Sequence, residues 1–330
     1  MEALEAVLSV DVGATWLRAA LVDPEALRVL KLVRAPTPQS GRREAIPEAL
    51  REVVREVVAG ERVRREAGVA TIGPLDARRG VVLRAPNVAG RPEMVDVVGP
   101  VVEVGGVEEV FVLNDCNAAA IAEWWARRSR GIEDLLYVTV STGIGAGCVL
   151  SSRPLLGRRG NAIELGHVVV DPSGYMGCGC GGRGHWEAYA SGGNMLSFAR
   201  RLLEDGLIPS SSELAEYLTS GGQDPSEAFR LYRAGDEGAA QLFARLAEVH
   251  AAGLASAVNA LDPEVLVLGG SVYLSNKDFF AGSVIPRMSS YLILEAPSVE
   301  DPAFGEHSPV VGAAVAAVLG IREARARPGG

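Results

Sequence analysis

The apolar positions of the chain follow two periods. Val7, Leu8 and Val10 form a β-type run that the turn Asp11-Val12-Gly13-Ala14-Thr15 interrupts. Leu17, Ala19, Ala20, Leu21 and Val22 resume the run, which predicts a β-hairpin with a polar tip. Residues 45–59 carry Ile46, Leu50, Val53, Val54, Val57 and Val58 at a helical period, with Pro47 near the first turn and Gly60 past the end. Short apolar runs predict strands at 69–72, 81–83 and 110–113. A helix is predicted over 117–128, with Ala118, Ile121, Ala122 and Trp125 on one face. The opening pattern then returns: a strand at 135–140, a glycine-rich polar turn at 141–147, and a strand at 148–150. Two copies of strand, small polar turn and strand predict two related α/β halves, each presenting one phosphate-sized loop. Residues 193–260 read as mostly helical, with Ser210 to Ser212 capping a helix at 213–218. A buried strand at 265–268 ends in Gly269-Gly270-Ser271. Ser308-Pro309 reads as the cap and first-turn proline of a last helix reaching about Leu319, and the tail at 324–330 as loose.

Composition narrows the class. The chain has 330 residues, 48% hydrophobic and 22% charged, which describes a folded chain of two domains or one large one and excludes a disordered one. The formal charge of -9, without basic blocks, argues against nucleic acid or an anionic membrane as the main partner. The apolar run at 310–321 is shorter than the ~20 residues of a membrane span and reads as a buried helix. Residues 1–6 carry two glutamates and no basic segment, so no signal peptide is read and the expected location is the cytoplasm.

Three features carry chemistry. In the first turn Gly13 lets the backbone approach an anion, Thr15 offers a hydroxyl and an N–H, and Asp11 can hold water on Mg²⁺. Thr142-Gly143-Ile144-Gly145 offers a second cradle of N–H groups, and Gly269-Gly270 a third point of close approach. Together they suit an adenosine, its phosphates and a metal. The second feature is Asn114-Asp115-Cys116-Asn117, between a strand and a helix. Either Asp115 or Asn117 caps the helix, or the Asn-Asp pair orients a hydroxyl and takes its proton. The third joins His167, Cys178, Cys180 and His185. Two thiolates and two imidazoles complete a tetrahedral Zn²⁺ site with no ligand position left for water, hence a structural one; the plain alternative is two free cysteines and two unrelated histidines. His250 reads as a packed helix residue, His307 as exposed, Cys116 and Cys148 as small buried hydrophobes, and Arg62 to Arg65 as a solvated helix end.

In this order the motifs resemble the ROK family of sugar kinases, within the hexokinase–actin superfamily, over about residues 7–317. The residues that carry the resemblance are Asp11-x-Gly13-x-Thr15, Asn114-Asp115-x-Asn117-Ala118-Ala119-Ala120, Thr142-Gly143-Ile144-Gly145-Ala146-Gly147, Glu164-x-Gly166-His167, Cys178-x-Cys180-Gly181, Glu187 and Ala190-Ser191-Gly192. The resemblance implies an α/β, two-lobed, hexokinase–actin-like (ribonuclease H-like) fold with a cleft between lobes. The smaller lobe is expected at 1–115 plus 306–330, and the larger at 116–305 with the zinc loop. It implies ATP-dependent phosphorylation of the 6-hydroxyl of a hexose, glucose favoured. Asp115 would be the base. Gly73, Asn87, Asn114, Asp115, Glu164, His167 and Glu187 would bind the sugar. Asp11, Gly13, Thr15, Thr142, Gly143, Gly269 and Gly270 would lie against the nucleotide. His167 would serve both zinc and sugar. Three departures are visible: His185 stands where the family usually has a third cysteine, Ser141 where many members have glycine, and Arg91 near the place of a tryptophan in many glucokinases. Other sugars (fructose, mannose, N-acetylmannosamine, N-acetylglucosamine) and a non-catalytic sugar-binding regulator are the competing readings. The first strand starts near Val7, which leaves no room for the helix-turn-helix of the family's repressors. A homodimer is the family-based expectation for assembly.

Overall fold

A computed structural model describes residues 5–326 of the chain. The chain start at 1–4 and the last part of the tail, 327–330, lie outside the described residues. By internal contacts the chain divides into two compact units, one of 1–137, 147–163 and 302–330, the other of 138–146 and 164–301.

The first unit is built on a five-stranded sheet. Its strands are β1 (Ala6–Val12), β2 (Trp16–Asp23), β3 (Arg28–Pro36), β4 (Val63–Thr71) and, after a small antiparallel sheet of β5 (Leu75–Asp76), β6 (Val81–Arg84) and β7 (Glu93–Asp96), the strand β8 (Glu109–Asn114). The order is β3-β2-β1-β4-β8, with the β1–β2 and β2–β3 pairs antiparallel and the β1–β4 and β4–β8 pairs parallel. Every residue of β1 is buried, which is why the strand reads as a run and not as an alternation. Helix α1 (Ala45–Val58) buries Ile46, Leu50, Val53, Val54 and Val57 in one cluster with Leu8, Val10, Leu17 and Val69. A short α2 (Gly99–Gly105) precedes β8, and α3 (Asp115–Arg127) follows it directly.

The C-terminal helix, Ser308–Leu319, also packs on this sheet. Ser9 Oγ donates to Val310 O at 2.6 Å. A Cβ on Gly68 would stand 2.0 Å from Ala313 O, and one on Gly312 only 1.7 Å from Ala118 O, so this helix touches β4 and α3 backbone to backbone. Buried Glu123 of α3 accepts from Arg127 Nη1 at 2.6 Å, from Ser308 Oγ at 2.8 Å and from Ala303 N at 2.8 Å. These contacts explain why the division differs from the expected boundary after 115. Helix α3 is held by the C-terminal helix, and the segment 147–163 by Gly147 against the α3 backbone and by Asn161 against Leu75.

The second sheet has the order β11-β10-β9-β12-β13, from β9 (Leu135–Val140), β10 (Ile144–Leu150), β11 (Arg153–Pro154), β12 (Val265–Gly269) and β13 (Ser298–Glu300). This matches the first sheet strand for strand, a hairpin plus its outer neighbour on one side and two later strands on the other. The repeated sequence pattern is therefore a repeated topology. Unit two adds α4 (Trp186–Ala190), α5 (Met195–Glu204), α6 (Glu213–Thr219), α7 (Pro225–Ala234) and the 25-residue α8 (Glu237–Leu261). Ser212 Oγ accepts from Ala215 N at 3.2 Å and caps α6 as its sequence suggested.

Several local expectations are corrected. The turn expected at 141–147 is only Ser141 to Gly143, because Ile144 to Gly147 already pair in β10. Arg64 and Arg65 lie in the solvated first half of β4, not at a helix end. Trp124 rather than Trp125 is the buried indole, its Nε1 donating to Ile132 O at 3.1 Å. His307, at the N-cap of the last helix, is half-buried, and Ser308 is already helical. Residues 324–326 are pinned, with Ala326 N donating to Val110 O at 2.9 Å. Among the described residues no helix is long and apolar enough to cross a membrane.

Candidate active site

In the first unit, Asp11 lies near the end of β1 in register with Arg18 of β2. Arg18 Nη1 donates to Asp11 Oδ2 at 2.7 Å, and its Nη2 reaches Glu306 Oε2 at 3.3 Å. Burial pushes the Asp11 carboxyl up to about 6; Arg18 works against this, and the nearby charge of Asp115 adds to it. In the turn, Gly13 N donates to Trp16 O at 3.0 Å and a Cβ on Gly13 would meet that oxygen at 2.9 Å. Thr37 Oγ1 donates to Gly13 O at 2.7 Å, and Thr15 is exposed beside it. Sequence reasoning passed over Arg18; its spacing across the hairpin from Asp11 was the available signal.

Asp115 opens α3 at the carboxyl end of β8. The cap is Asn114, neither Asp115 nor Asn117: Asn114 Oδ1 accepts from Cys116 N at 2.9 Å and Asn117 N at 3.4 Å. Asn114 thereby fixes the rotamer of the residue expected to touch sugar, with its Nδ2 not used in the cap. Asp115 Oδ1 also accepts from Cys116 N, at 2.8 Å. Gly73 follows β4, and the next residues are held by Asn161, whose Oδ1 accepts from Leu75 N at 2.9 Å and whose Nδ2 donates to Leu75 O at 2.7 Å. That two-way clamp imitates a strand partner, and a lone Asn in a loop gave no sign of it. Asn87 is exposed in the loop between β6 and β7.

The second unit gathers the other predicted residues. Ser141 N donates to Gly143 O at 2.9 Å and closes the turn, while Gly192 N and Gly193 N donate to Ser141 O at 2.8 Å and Thr142 O at 2.9 Å. Ser141 Oγ lies 2.9 Å from Ser271 Oγ. Gly270, at φ +89°, has no room for a side chain, since a Cβ would meet Val140 O at 2.4 Å. Gly270 and Ser271 thus lie against Val140 and Ser141, next to Thr142 and Gly143, while Gly269 is buried at the end of β12. Glu164 precedes the 3₁₀ turn Leu165–His167, and His167 N donates to Glu164 O at 3.0 Å. Desolvation raises the Glu164 carboxyl, His167 lowers it, and Glu187 raises it, so the three side chains feel one another. Glu187 Oε2 accepts from Ile144 N at 2.9 Å.

The ligand atoms of His167, Cys178, Cys180 and His185 all lie within 4.8 Å of one another. Cys178 Sγ is 3.7 Å from His167 Nδ1 and Cys180 Sγ 3.3 Å from His185 Nδ1. The loop closes on itself through Cys178 N to Gly182 O at 2.8 Å and Gly184 N to Met176 O at 2.9 Å. Gly182 is required by the His185 ring, whose Cε1 a Cβ there would meet at 2.3 Å. Burial pushes the Cys178 thiol up. His250 is packed as expected, 2% exposed, against Trp186.

Comparison with known proteins identifies the family. The model of the ROK family matches residues 7–318. The chain belongs to the ROK family. It is 36% identical to the glucokinase of Aeropyrum pernix, over 93% of this chain and 95% of that one. Among solved structures, the ROK hexokinase from Thermus thermophilus is 38% identical with a TM-score of 0.78, covering 96% of this chain and 99% of that one. The ROK glucokinase from Streptomyces griseus, solved with glucose and AMPPNP, is 30% identical with a TM-score of 0.74, over 95% and 99%. The mixed α/β architecture is that of the ROK hexokinases, of the actin-like ATPase fold.

Proposed function

We propose that the protein is an ATP-dependent hexokinase that phosphorylates the 6-hydroxyl of glucose, giving glucose 6-phosphate and ADP. The observation that carries this reading is the pair of carboxylates Asp11 and Asp115, near the carboxyl ends of parallel strands, close enough for one charge to shift the other. Phosphoryl transfer needs one acid-base group on the acceptor hydroxyl and one anchor for the cation on the phosphates. Asp115, opening α3, orients the hydroxyl and takes its proton as it attacks the γ-phosphate. The likeness to glucokinases supports the choice of sugar and donor.

In the first unit Gly73, Asn87 and Asn114, and in the second unit Glu164, His167 and Glu187, offer the backbone, amides, carboxylates and imidazole that sugar hydroxyls bind. Thr15 and Gly13, Thr142 and Gly143, and Gly269 and Gly270 offer N–H groups and close approach to the nucleotide. Asp11 would hold Mg²⁺ or water on it, in exchange for or beside the Arg18 guanidinium from which it accepts at 2.7 Å. Bound there, Mg²⁺ neutralises charge on the phosphoryl oxygens. The Cys/His cluster suits zinc: two of its sulfur–nitrogen separations, 3.7 Å and 3.3 Å, bracket the about 3.5 Å edge of a tetrahedron with ~2.3 Å Zn–S and ~2.05 Å Zn–N bonds, and all four ligand atoms lie within 4.8 Å of one another. His167, Cys178, Cys180 and His185 would hold zinc, which would supply a structural cross-link; His167, its Nδ1 toward Cys178 Sγ, would then be oriented with Nε2 toward the sugar. A reaction that spends ATP to make a charged sugar phosphate fits a cytoplasmic enzyme.

The test is ADP release from Mg·ATP with glucose, mannose, fructose, N-acetylglucosamine and N-acetylmannosamine offered singly beside a sugar-free blank. Glucose-dependent turnover is expected, and Asp115→Asn is expected to lose at least about 100-fold in kcat while still binding glucose. No sugar-dependent ADP release, or near-normal turnover in the variant, sinks the reading or the assignment of the base, respectively.

A further inference from the structure

Glu187 makes a contact that sugar binding alone does not call for. Its Oε2 accepts the Ile144 amide at 2.9 Å, directly after the turn Ser141-Thr142-Gly143. The packing there is tight enough to dictate two glycines. A Cβ on Gly143 would stand 2.6 Å from Glu187 Oε2, and one on Gly166 2.1 Å from Ile144 O and 3.5 Å from Glu187 Oε2. Gly166 lies between Glu164 and His167, two of the proposed sugar ligands. The two glycines that follow α4 hold the same turn, through Gly192 N to Ser141 O and Gly193 N to Thr142 O. The turn is therefore held by the first-turn carboxylate of α4 and by the backbone just past its end.

We propose that Glu187 is a positioning residue that couples hexose occupancy to the second phosphate loop, one carboxylate oxygen meeting the sugar and the other fixing the Ile144 amide. This rests on the hexokinase reading above. A carboxylate is rigid and planar, so a sugar hydroxyl that sets the angle of one oxygen also sets the other. The amides of Thr142 and Gly143 are then held more firmly where phosphate meets them when sugar is present. The benefit is selectivity, since nucleotide bound without an acceptor faces a less ordered loop and is less prone to hydrolysis.

The experiment measures binding of AMPPNP with Mg²⁺ to the full chain by calorimetry, without and with saturating glucose, and binding of glucose alone. Coupling is reciprocal, so either ligand can be titrated. Glucose is expected to tighten AMPPNP binding about tenfold in the wild type. Glu187→Ala is expected to reduce that ratio to about one, and Glu187→Gln, whose carbonyl can still accept from Ile144, to retain about half of it. Gly143→Ala tests the link from the other side and guards against a misfolded Glu187→Ala. It is expected to lose the coupling when AMPPNP binding is compared without glucose and at a glucose concentration that saturates the variant. A tenfold ratio surviving in Glu187→Ala or Gly143→Ala overturns the proposal. So does a wild type that binds both ligands independently, although sugar-dependent ADP release would then leave the hexokinase reading intact. A wild type that binds AMPPNP but no hexose overturns both.

Discussion

Acid should unfold this protein in part through one histidine. His250 of α8 is 2% exposed, its Nδ1 accepts from Trp186 Nε1 at 3.2 Å, and the rings of Trp186 and Phe280 stand 5.8 Å and 5.0 Å from its own. An Nδ1 acceptor is the neutral tautomer with its proton on Nε2. Burial pushes the imidazole down from 6.5 to about 3. In the unfolded chain it takes up a proton near its ordinary value, so between those limits the unfolded state binds more protons and stability rises with pH. The contribution is fully present above about 6.5 and is lost progressively as pH falls toward about 3. At ~1.4 kcal/mol per unit, taking the protein from pH 7 to pH 5 removes about 2 kcal/mol through this group. His250→Gln keeps an acceptor for Trp186 and does not titrate. Denaturant unfolding of both proteins at pH 5, 6 and 7, followed by tryptophan fluorescence, is the assay. The stability of wild type relative to the variant is expected to fall by about 2 kcal/mol across that range, all other groups cancelling. Parallel curves for the two proteins would refute the reasoning. The outcome bears on the site, because Trp186 stands between His185 and Glu187.

Three further outcomes are expected. Glu123→Ala should cost about 3 kcal/mol in urea unfolding, because it removes the buried carboxylate to which Arg127, Ser308 Oγ and Ala303 N all donate; a loss under about 1 kcal/mol would show that other partners replace the carboxylate there. Gly312→Ala should cost about 3 kcal/mol by forcing the C-terminal helix off α3, and a thermal midpoint equal to wild type would contradict the close packing. Elemental analysis should find one zinc per wild-type chain and none in Cys178→Ser; equal contents in the two would remove the cluster as a metal site.

Much of the site is local chemistry, which explains its legibility in a single chain. The hairpin around Asp11 to Thr15 follows from alternating apolar residues and a glycine, and its second copy at 135–150 marks the repeated sheet. Cys178 and Cys180 with the flanking histidines are separated by few residues, so the chain itself limits how far apart they can lie. Asp115 is marked by a strand ending and a helix beginning at one point.

What the sequence left open depends on groups far apart along the chain. The Arg18–Glu306 ion pair spans 288 residues, Glu123 and Ser308 are 185 apart, and Asn161 clamps Leu75 across 86. None of these side chains has a local signature, because a lone charged or amide residue satisfies any one-dimensional pattern. The extent of the first unit is of the same kind. Periodicity makes α3 a helix, but only the backbone approach of Gly312 to Ala118 decides which sheet it stays with. Local propensity and spacing determined which residues could do chemistry, while tertiary packing alone decided which groups hold them in place, since burial and long-range pairing belong to the fold and not to any segment of it.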